Sequence, residues 1–497
     1  MDYQSTRNKN ISVTSAQAVK QGISSEGGLF VPSDIPPVTS EEIEKLASFS
    51  YVDRAKYILG KYLTDYTADE LADCANKAYT AEKFGSEDIA PVVKLTDSAY
   101  ILELWHGPTC AFKDMALQIL PHLLTKAMKK TGEDKEVVIL VATSGDTGKA
   151  ALEGFKDVDG TKIQVFYPVD GVSEIQKLQM TTQEGKNVSV VAVNGNFDDA
   201  QTGVKKIFTD KKFAKRADEK GYVLSSANSI NWGRLAPQIV YYFSAYCDML
   251  KSGEIKNGDK INICVPTGNF GNILAAYYAK EMGLPVKKLI CASNSNNVLT
   301  DFIKTGTYDR NRVFKTTISP SMDIIISSNL ERLLYIMSGF NDAEIREYMN
   351  SLSEKGKYTV SDEIFAKIKD SFAAGCCTDD ETKKTIGEIN KKYSYTADTH
   401  TAVAIKVYLD YLAQTGDDTK TVIASTANPF KFNKSVLDAV SADDLGAKDE
   451  FELLNMLSDI SGMEIPKSLG ELKNKEVRFK TVCNKEDMAS ETEKFLC

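Results

Sequence analysis

Short apolar runs rich in Val, Ile and Ala alternate with longer amphipathic stretches between about residue 98 and residue 300. Continuous apolar runs of this kind are typical of strands buried on both faces of a parallel sheet. The pattern predicts strands over 100–104, 136–142, 162–167, 187–193, 260–265 and 287–292, and helices over 115–130, 197–215 and 232–251. This alternation predicts an α/β fold with parallel sheets, arranged as two lobes around a cleft.

The flanking regions have different patterns. Residues 1–92 are predicted to form a mostly helical N-terminal region, in which one helix begins at Ser40 after a proline-rich loop. Residues 93–435 form the predicted core, which includes a strand over 420–425. The charged segment from about 305 to 395 is predicted to be a helical insertion packed on that core, and residues 436–497 a C-terminal extension.

One lysine lies just after the first predicted strand of the core. Lys113 follows the Gly107-Pro108 turn and precedes a predicted helix. The positive end of a helix dipole and shielding from water would both lower the pKa of this amine, and a neutral amine is a nucleophile. Lysines of that kind form Schiff bases with pyridoxal phosphate. A solvated surface lysine is the alternative, and this motif alone does not exclude it.

A polar loop follows the predicted strand 136–142. Ser144, Gly145, Asp146 and Thr147 stand at the carboxyl end of that strand and open a helix, a position suited to a carboxylate or a phosphate. The pattern is not a nucleotide-binding P-loop, because the required glycine and the hydroxyl residue after the lysine are both missing. An ordinary helix N-cap explains this motif equally well when it is taken alone.

A second loop, which follows the predicted strand 260–265, contains two glycines and two asparagines. Its residues are Gly268, Asn269, Phe270, Gly271 and Asn272. Glycines allow successive backbone N–H groups to converge on one anion. Since the loop has no lysine or arginine, it suits a cofactor phosphate held by amides at a helix N-terminus. A purely structural strand-to-helix turn is the less favoured alternative.

Together these motifs resemble the threonine synthase family, in its longer form. That family belongs to the pyridoxal-phosphate enzymes of fold type II, which resemble the tryptophan synthase β subunit. The matching segments run in family order from about residue 5 to about residue 432, and they are 15–22, 27–32, 106–114, 142–148, 266–272, 320–324, 327–332 and 425–432.

The resemblance implies a role for each candidate residue. Lys113 would hold pyridoxal phosphate as a Schiff base and transfer protons. The loop 268–272 would bind the cofactor phosphate. Asp146 matches a position beside the phenolic oxygen where relatives often have asparagine, and Thr426 matches the hydroxyl residue that faces the pyridine nitrogen. Ser144, Gly145 and Thr147 would bind the substrate carboxylate or phosphate.

The implied reaction converts O-phospho-L-homoserine and water to L-threonine and phosphate, so the chain would be a carbon–oxygen lyase of threonine biosynthesis. A phospholyase or a threonine or serine dehydratase would use the same chemistry. Two other classes are less favoured. The intact set of lysine, loop and hydroxyl residues argues against a cofactor-carrying binding protein without turnover, and the failed P-loop test makes a nucleotide-binding α/β protein remote.

Composition agrees with an enzyme that acts on a small molecule. The 497 residues suggest two or three domains, and the formal net charge of −9 argues against nucleic acid or an anionic membrane as partner. Nine cysteines without regular spacing and a polar amino terminus without a signal-peptide core favour the cytoplasm. The three histidines lack zinc-type spacing, so no metal site is expected. A monomer or a homodimer is expected.

Five further residues have two interpretations each. Arg7, Arg234 and Arg332 are candidate phosphate contacts, although a surface ion pair is the favoured interpretation for each. His106 and His400 could assist proton transfer, but a structural role is favoured for both.

Overall fold

The computed structural model of the chain describes residues 1–143, 145–170, 172–446 and 448–497. In these ranges the strands are β1 (Asp2–Ser5), β2 (Asn8–Thr14), β3 (Phe30–Pro32), β4 (Val92–Lys94), β5 (Ala99–Glu103), β6 (Glu136–Ala142), β7 (Thr161–Pro168), β8 (Val188–Asn194), β9 (Tyr222–Ser225), β10 (Ile261–Pro266), β11 (Val286–Ser293), β12 (Thr307–Asp309), β13 (Lys357–Thr359), β14 (Phe372–Cys376), β15 (Thr421–Ser425) and β16 (Val482–Asn484).

The helices are α1 (Ser15–Gln21), α2 (Ser40–Ala47), α3 (Tyr51–Tyr62), α4 (Ala68–Ala78), α5 (Ala81–Phe84), α6 (Asp114–Leu117), α7 (Leu120–Lys130), α8 (Asp146–Phe155), α9 (Glu174–Thr181), α10 (Phe197–Thr209), α11 (Lys211–Glu219), α12 (Trp232–Lys251), α13 (Gly271–Glu281), α14 (Val298–Thr305), α15 (Leu330–Met337), α16 (Asp342–Lys355), α17 (Asp362–Ser371), α18 (Asp379–Tyr393), α19 (Thr399–Thr415), α20 (Asn433–Val440), α21 (Glu450–Ser461), α22 (Lys467–Gly470) and α23 (Met488–Phe495). Short 3₁₀ turns span Pro320–Met322, Pro429–Phe432 and Glu471–Asn474. None of the helices described here is both long and apolar enough to cross a membrane.

Two parallel sheets form the two lobes. The first has the order β16-β8-β7-β6-β9, and all of its strands are parallel. The second has the order β14-β11-β10-β15-β5-β4 and is parallel except for β4 at its edge. Strands β5, β10 and β15 are buried along their whole length, as their apolar sequences predict. The predicted strands of the core are therefore confirmed, within one or two residues at each end.

Helix α12 joins the N-terminal region to the core. Its first residue, Trp232, lies at the centre of an aromatic cluster, with ring centroids 5.4 Å from each of Tyr3, Tyr62 and Tyr278. Edge-to-face contacts of this kind add to the stability that buried area provides. The N-terminal region is thus packed directly against the helices that support the cleft.

Two predicted helices are each divided in two. The helix predicted over 115–130 is wrong as one element, because Pro121 has no N–H and its ring would clash with the carbonyl of Leu117, where α6 ends. The helix predicted over 197–215 breaks at Asp210, whose side chain accepts hydrogen bonds from the amides of Lys212 and Phe213 and so caps α11.

Strands also occur where none was predicted. The N-terminal region is mostly helical, but it also contains the antiparallel sheet β2-β1-β3. The segment 305–395 was expected to be helical, yet β14 pairs with β11 and extends the second sheet. In the region after residue 435, β16 pairs with β8 and extends the first sheet. These two segments therefore contribute strands to the lobes themselves.

Candidate active site

The predicted loops converge where the two lobes meet. Strand β15 lies between β5 and β10, so the carboxyl ends of these three parallel strands share one edge of the sheet. The backbone N–H of Phe112 donates to the carbonyl of Thr426 over 2.8 Å, which joins the lysine loop to the end of β15. Asp146 approaches from the other lobe as the first residue of α8.

Lys113 lies at the bottom of this junction. Its side chain is 12% exposed, and its Nζ donates to Ser321 Oγ over 3.2 Å and lies 3.9 Å from Asp146 Oδ2. Burial lowers the pKa of Lys113 to about 8; Asp146 opposes this shift, while the positive charges of Lys431 and Arg234 add to it. Since α6 is a single turn, burial rather than a helix dipole is the main cause. The amine is thus far more nucleophilic at neutral pH than an exposed lysine.

Asp146 is buried among donors. Its Oδ1 lies 2.6 Å from Lys431 Nζ and accepts from Gln176 Nε2 over 2.9 Å, and its Oδ2 accepts from Ser321 Oγ over 3.3 Å. Burial alone would raise the pKa of Asp146, but the charges of Lys431 and Lys113 outweigh it and hold that pKa well below its usual value. The carboxylate is therefore ionised at neutral pH.

Ser321 connects three parts of the site. It lies in the turn Pro320–Met322, accepts from Lys113, donates to Asp146, and its backbone N–H donates to His400 Nε2 over 3.2 Å. Asp323 fixes this turn, because its carboxylate accepts from the amide groups of Asn294 and Asn296 and from Thr317. In the sequence this segment stands out only as a family match, and no role was predicted for Ser321.

The loop 268–272 has the features of an anion-binding turn. Phe270 adopts a left-handed conformation with φ of 63°, and α13 then begins at Gly271 with no side-chain N-cap from the part of the chain that is described. The N–H of Ile273 donates to Asn272 Oδ1 over 2.9 Å, which leaves the N–H groups of Gly271 and Asn272 at the start of α13 as the ones suited to an anion. A Cβ at Gly268 would lie 2.6 Å from the carbonyl oxygen of Ser321, so only glycine fits there. Asn272 Nδ2 donates to the carbonyl of Pro266, which fixes the base of the loop.

The residues predicted to bind substrate give a mixed result. Thr143 Oγ1 accepts hydrogen bonds from the N–H groups of Gly145 and Gly148, so the amide of Gly145 already has a partner and this turn acts in part as a helix cap. Thr147 is half-buried in the first turn of α8. Ser144 lies outside the described residues.

The three arginines differ from one another. Arg7 forms an ion pair with Glu331 at 2.7 Å, as the favoured interpretation held. That interpretation is wrong for Arg332, which is fully buried and donates to the carbonyls of Phe30 and Ile230. It is also wrong for Arg234, which is 4% exposed.

Arg234 has no acidic partner among the described residues. Its Nη1 donates to the carbonyl of Ala227, while its Nε has no partner within the described part of the chain. Burial lowers its pKa to about 10. A buried guanidinium with an unused donor is suited to binding an anion.

The two histidines hold neighbouring groups in place. The His106 ring stacks on Trp105 at 4.1 Å, and its Nε2 lies 2.8 Å from Glu103. His400 Nδ1 lies 2.8 Å from Asp398, the N-cap of α19, while its Nε2 accepts from the Ser321 amide. The hydrogen bonds therefore assign the neutral Nδ1–H form to His400.

The fold and the site are those of a pyridoxal-phosphate enzyme, and a family model described as "Pyridoxal-phosphate dependent enzyme" matches residues 87–427. Models described as "Threonine synthase N terminus" and "Threonine synthase, C-terminal" match residues 2–79 and 401–492. The chain belongs to the threonine synthase family. The resemblance found in the sequence and the predicted fold class are thus confirmed.

Similar proteins agree with this assignment. A threonine synthase from Schizosaccharomyces pombe is 38% identical over 471 residues, which cover 89% of this chain and 90% of the relative. The crystal structure of pyridoxal-phosphate-bound threonine synthase from Brucella melitensis has a TM-score of 0.88 at 35% identity, and the match covers 100% of this chain and 98% of that one. Human "Threonine synthase-like 1" is 41% identical over 88% of this chain, which spans only 59% of that relative's length.

The residues present fit the family's cofactor, pyridoxal phosphate. Lys113 offers a buried amine with a lowered pKa, and the first turn of α13 offers amides to a phosphate. The Gly268 position leaves no room for a side chain beside Ser321. Asp146 is paired with Lys431, so this acid does not add a net negative charge to the cleft.

Proposed function

We propose that the chain converts O-phospho-L-homoserine and water to L-threonine and phosphate, as a threonine synthase of the cytoplasm. One observation carries the proposal beyond the family: besides the amide loop that suits the cofactor phosphate, the buried cation Arg234, whose charge acts on Lys113, has no acidic partner among the described residues. A dehydratase of free serine or threonine needs no second phosphate site. A substrate with its own phosphate does.

Each candidate residue has a distinct task in this proposal. Lys113 would hold the cofactor, remove the proton from the substrate α carbon and return a proton later. The amides of the loop 268–272 would bind the cofactor phosphate, and Thr426 would face its pyridine nitrogen. Asp146 would face its phenolic oxygen. When bound, pyridoxal phosphate draws electron density away from the substrate α carbon.

The substrate would be held by its two anionic groups. Arg234 would pair with the phosphate and stabilise the charge that develops as phosphate departs from the γ carbon. The Thr147 hydroxyl, with Ser144, would orient the carboxylate, while the amide of Gly145 stays bonded to Thr143. The low exposure of Lys113 would keep bulk water from the reacting atoms until one water adds at the β carbon.

The reaction products test this proposal. The purified protein would be supplied with O-phospho-L-homoserine, and threonine, 2-oxobutanoate and phosphate would be measured in one reaction. Threonine and phosphate in equal amounts support a threonine synthase. Release of 2-oxobutanoate and phosphate without threonine would identify a phospholyase. Formation of pyruvate from L-serine, or of 2-oxobutanoate from L-threonine, in parallel reactions would identify a dehydratase. The Lys113→Ala variant is the control for non-enzymatic loss of phosphate.

The assembly, domain boundaries and location are part of the same proposal. The units would be 1–92, 93–435 and 436–497, in a monomer or a homodimer, which light scattering on the purified protein distinguishes. All nine cysteines are free thiols, and this supports a reducing compartment. Loss of activity upon reduction would count against that location.

A further inference from the structure

Lys431 is an unusual lysine, because its side chain is 0% exposed. It lies in the turn Pro429–Phe432, which follows Thr426 at the end of β15. Its Nζ lies 2.6 Å from Asp146 Oδ1 and donates to the carbonyl of Thr109 over 3.0 Å. Burial of an ammonium group costs free energy unless the charge is paired, so the contact with Asp146 offsets the cost of burying Lys431.

This buried ion pair joins the two lobes. Lys431 belongs to the lobe of β15 and Asp146 to the lobe of β6, whose helix α8 begins at Asp146. The second oxygen of Asp146 lies 3.9 Å from the amine of Lys113. Two amines therefore share one carboxylate, and Lys431 makes the direct contact while Lys113 stays beyond hydrogen-bonding distance.

We propose that Lys431 is a positioning residue that holds the Asp146 carboxylate away from Lys113, so that a larger fraction of Lys113 is the free amine than if Lys113 were the only cation beside that carboxylate. Because this role concerns the lysine that holds the cofactor, it rests on the proposed function.

The charges around Lys113 give the direction of each effect. Asp146 faces it from α8, Lys431 from the turn after β15 and Arg234 from α12, while His400 lies one hydrogen bond further away beyond Ser321. Without Lys431, the nearest cation for the buried carboxylate is Lys113, and their attraction raises the pKa of the amine. Without Asp146, two positive charges act on Lys113 and its pKa falls.

The experiment measures the amine itself in cofactor-free protein. Competitive acetylation with acetic anhydride, followed by mass spectrometry of the Lys113 peptide over neutral to alkaline pH, gives the fraction of free amine. The variants are Lys431→Met, Asp146→Asn and the double variant. The exposed lysine three residues on, changed as Lys434→Met, is the matched control.

We expect Lys431→Met to lower acetylation of Lys113 at neutral pH by about tenfold or more, which corresponds to a rise of one pKa unit. Asp146→Asn should increase acetylation, the double variant should return close to wild type, and Lys434→Met should have no effect. An unchanged midpoint in Lys431→Met, or a double variant that matches Lys431→Met, would overturn the proposal.

A second substitution keeps the test decisive if Lys431→Met does not fold. Lys431→Gln removes the charge but can still donate to Asp146 and to the Thr109 carbonyl, so the same fall in acetylation is expected from it. Failure of the proposed function is recognised separately. If the protein makes no threonine but shows these changes in acetylation, the proposed function fails while the coupling between Lys431, Asp146 and Lys113 stands.

Discussion

Gly268→Ala should damage the cofactor site although it adds only a methyl group. The new Cβ would lie 2.6 Å from the carbonyl oxygen of Ser321, a distance that real side-chain carbons do not tolerate. Either the loop 268–272 or the turn Pro320–Met322 must move. Ser321 contacts both Lys113 and Asp146, so a shift of that turn disturbs the amine and the carboxylate together.

Overpacking of this kind costs about 1–3 kcal/mol. If the bound form bears the whole penalty, the dissociation constant of pyridoxal phosphate rises roughly 5- to 150-fold, since 1.4 kcal/mol corresponds to a factor of ten. Titration of cofactor-free protein, followed by the visible absorbance of the bound cofactor, measures this constant. Denaturant unfolding of the cofactor-free protein shows how much of the penalty falls on folding instead.

Gly271→Ala is the matched control within the same loop. Its Cβ would lie 3.5 Å from Asn329 Nδ2 and 3.6 Å from Gln238 Nε2, which are ordinary contacts, and the backbone N–H is retained. Its affinity for the cofactor should stay close to that of the wild type. Equal losses in both variants, or no loss of affinity or stability in Gly268→Ala, would refute the claim that the Gly268–Ser321 contact shapes the site.

Three further predictions concern the same cleft. The rate of cofactor association should rise about tenfold per pH unit up to a plateau near pH 8, because the free amine of Lys113 is the reactive form and its pKa is lowered to about 8. Stopped-flow absorbance measures this rate. A rate that keeps rising towards pH 10 would contradict the prediction. Arg234→Gln should remove about 1.5–3 kcal/mol of transition-state stabilisation, which lowers kcat/KM for O-phospho-L-homoserine roughly 10- to 150-fold with the cofactor still bound. The control Arg216→Gln, at an exposed ion pair with Glu493, should leave kcat/KM unchanged. Ser321→Ala should weaken cofactor binding by about 0.5–1.5 kcal/mol in the same titration, since it removes the hydrogen bonds to Lys113 and Asp146.

The parallel strands of the core could be predicted because their sequences carry the physical signal. A strand such as β10 is buried on both faces, and its residues favour that environment apart from Asn262 and the terminal Pro266. Glycines placed directly after such a strand indicate a tight turn or a close backbone approach, so the loops at Gly145 and Gly268 could be found as well. Gly145 has a positive φ, whereas Gly268 is required by the nearby carbonyl of Ser321. In the N-terminal sheet, by contrast, β2 is mostly exposed and polar, and its sequence resembles a loop.

The polar contacts that complete the site could not be predicted. Lys431 looks like an exposed residue, because lysine is almost never fully buried, and only the tertiary structure shows that Asp146 lies opposite it. Ser321 lies in a 3₁₀ turn without apolar periodicity, and its partners are far away along the chain. The main cause of the lowered pKa of Lys113 was also predicted wrongly. Pro121 shortens the helix whose dipole was expected to act on this amine.

The most direct test of the account is to find which side chain carries the cofactor. Protein reconstituted with pyridoxal phosphate would be reduced with borohydride, digested and analysed by mass spectrometry for the added pyridoxyl mass. We predict the label on Lys113, with loss of the label in Lys113→Arg. A label on another lysine, such as Lys149 or Lys431, or full threonine formation by Lys113→Arg, would contradict the account.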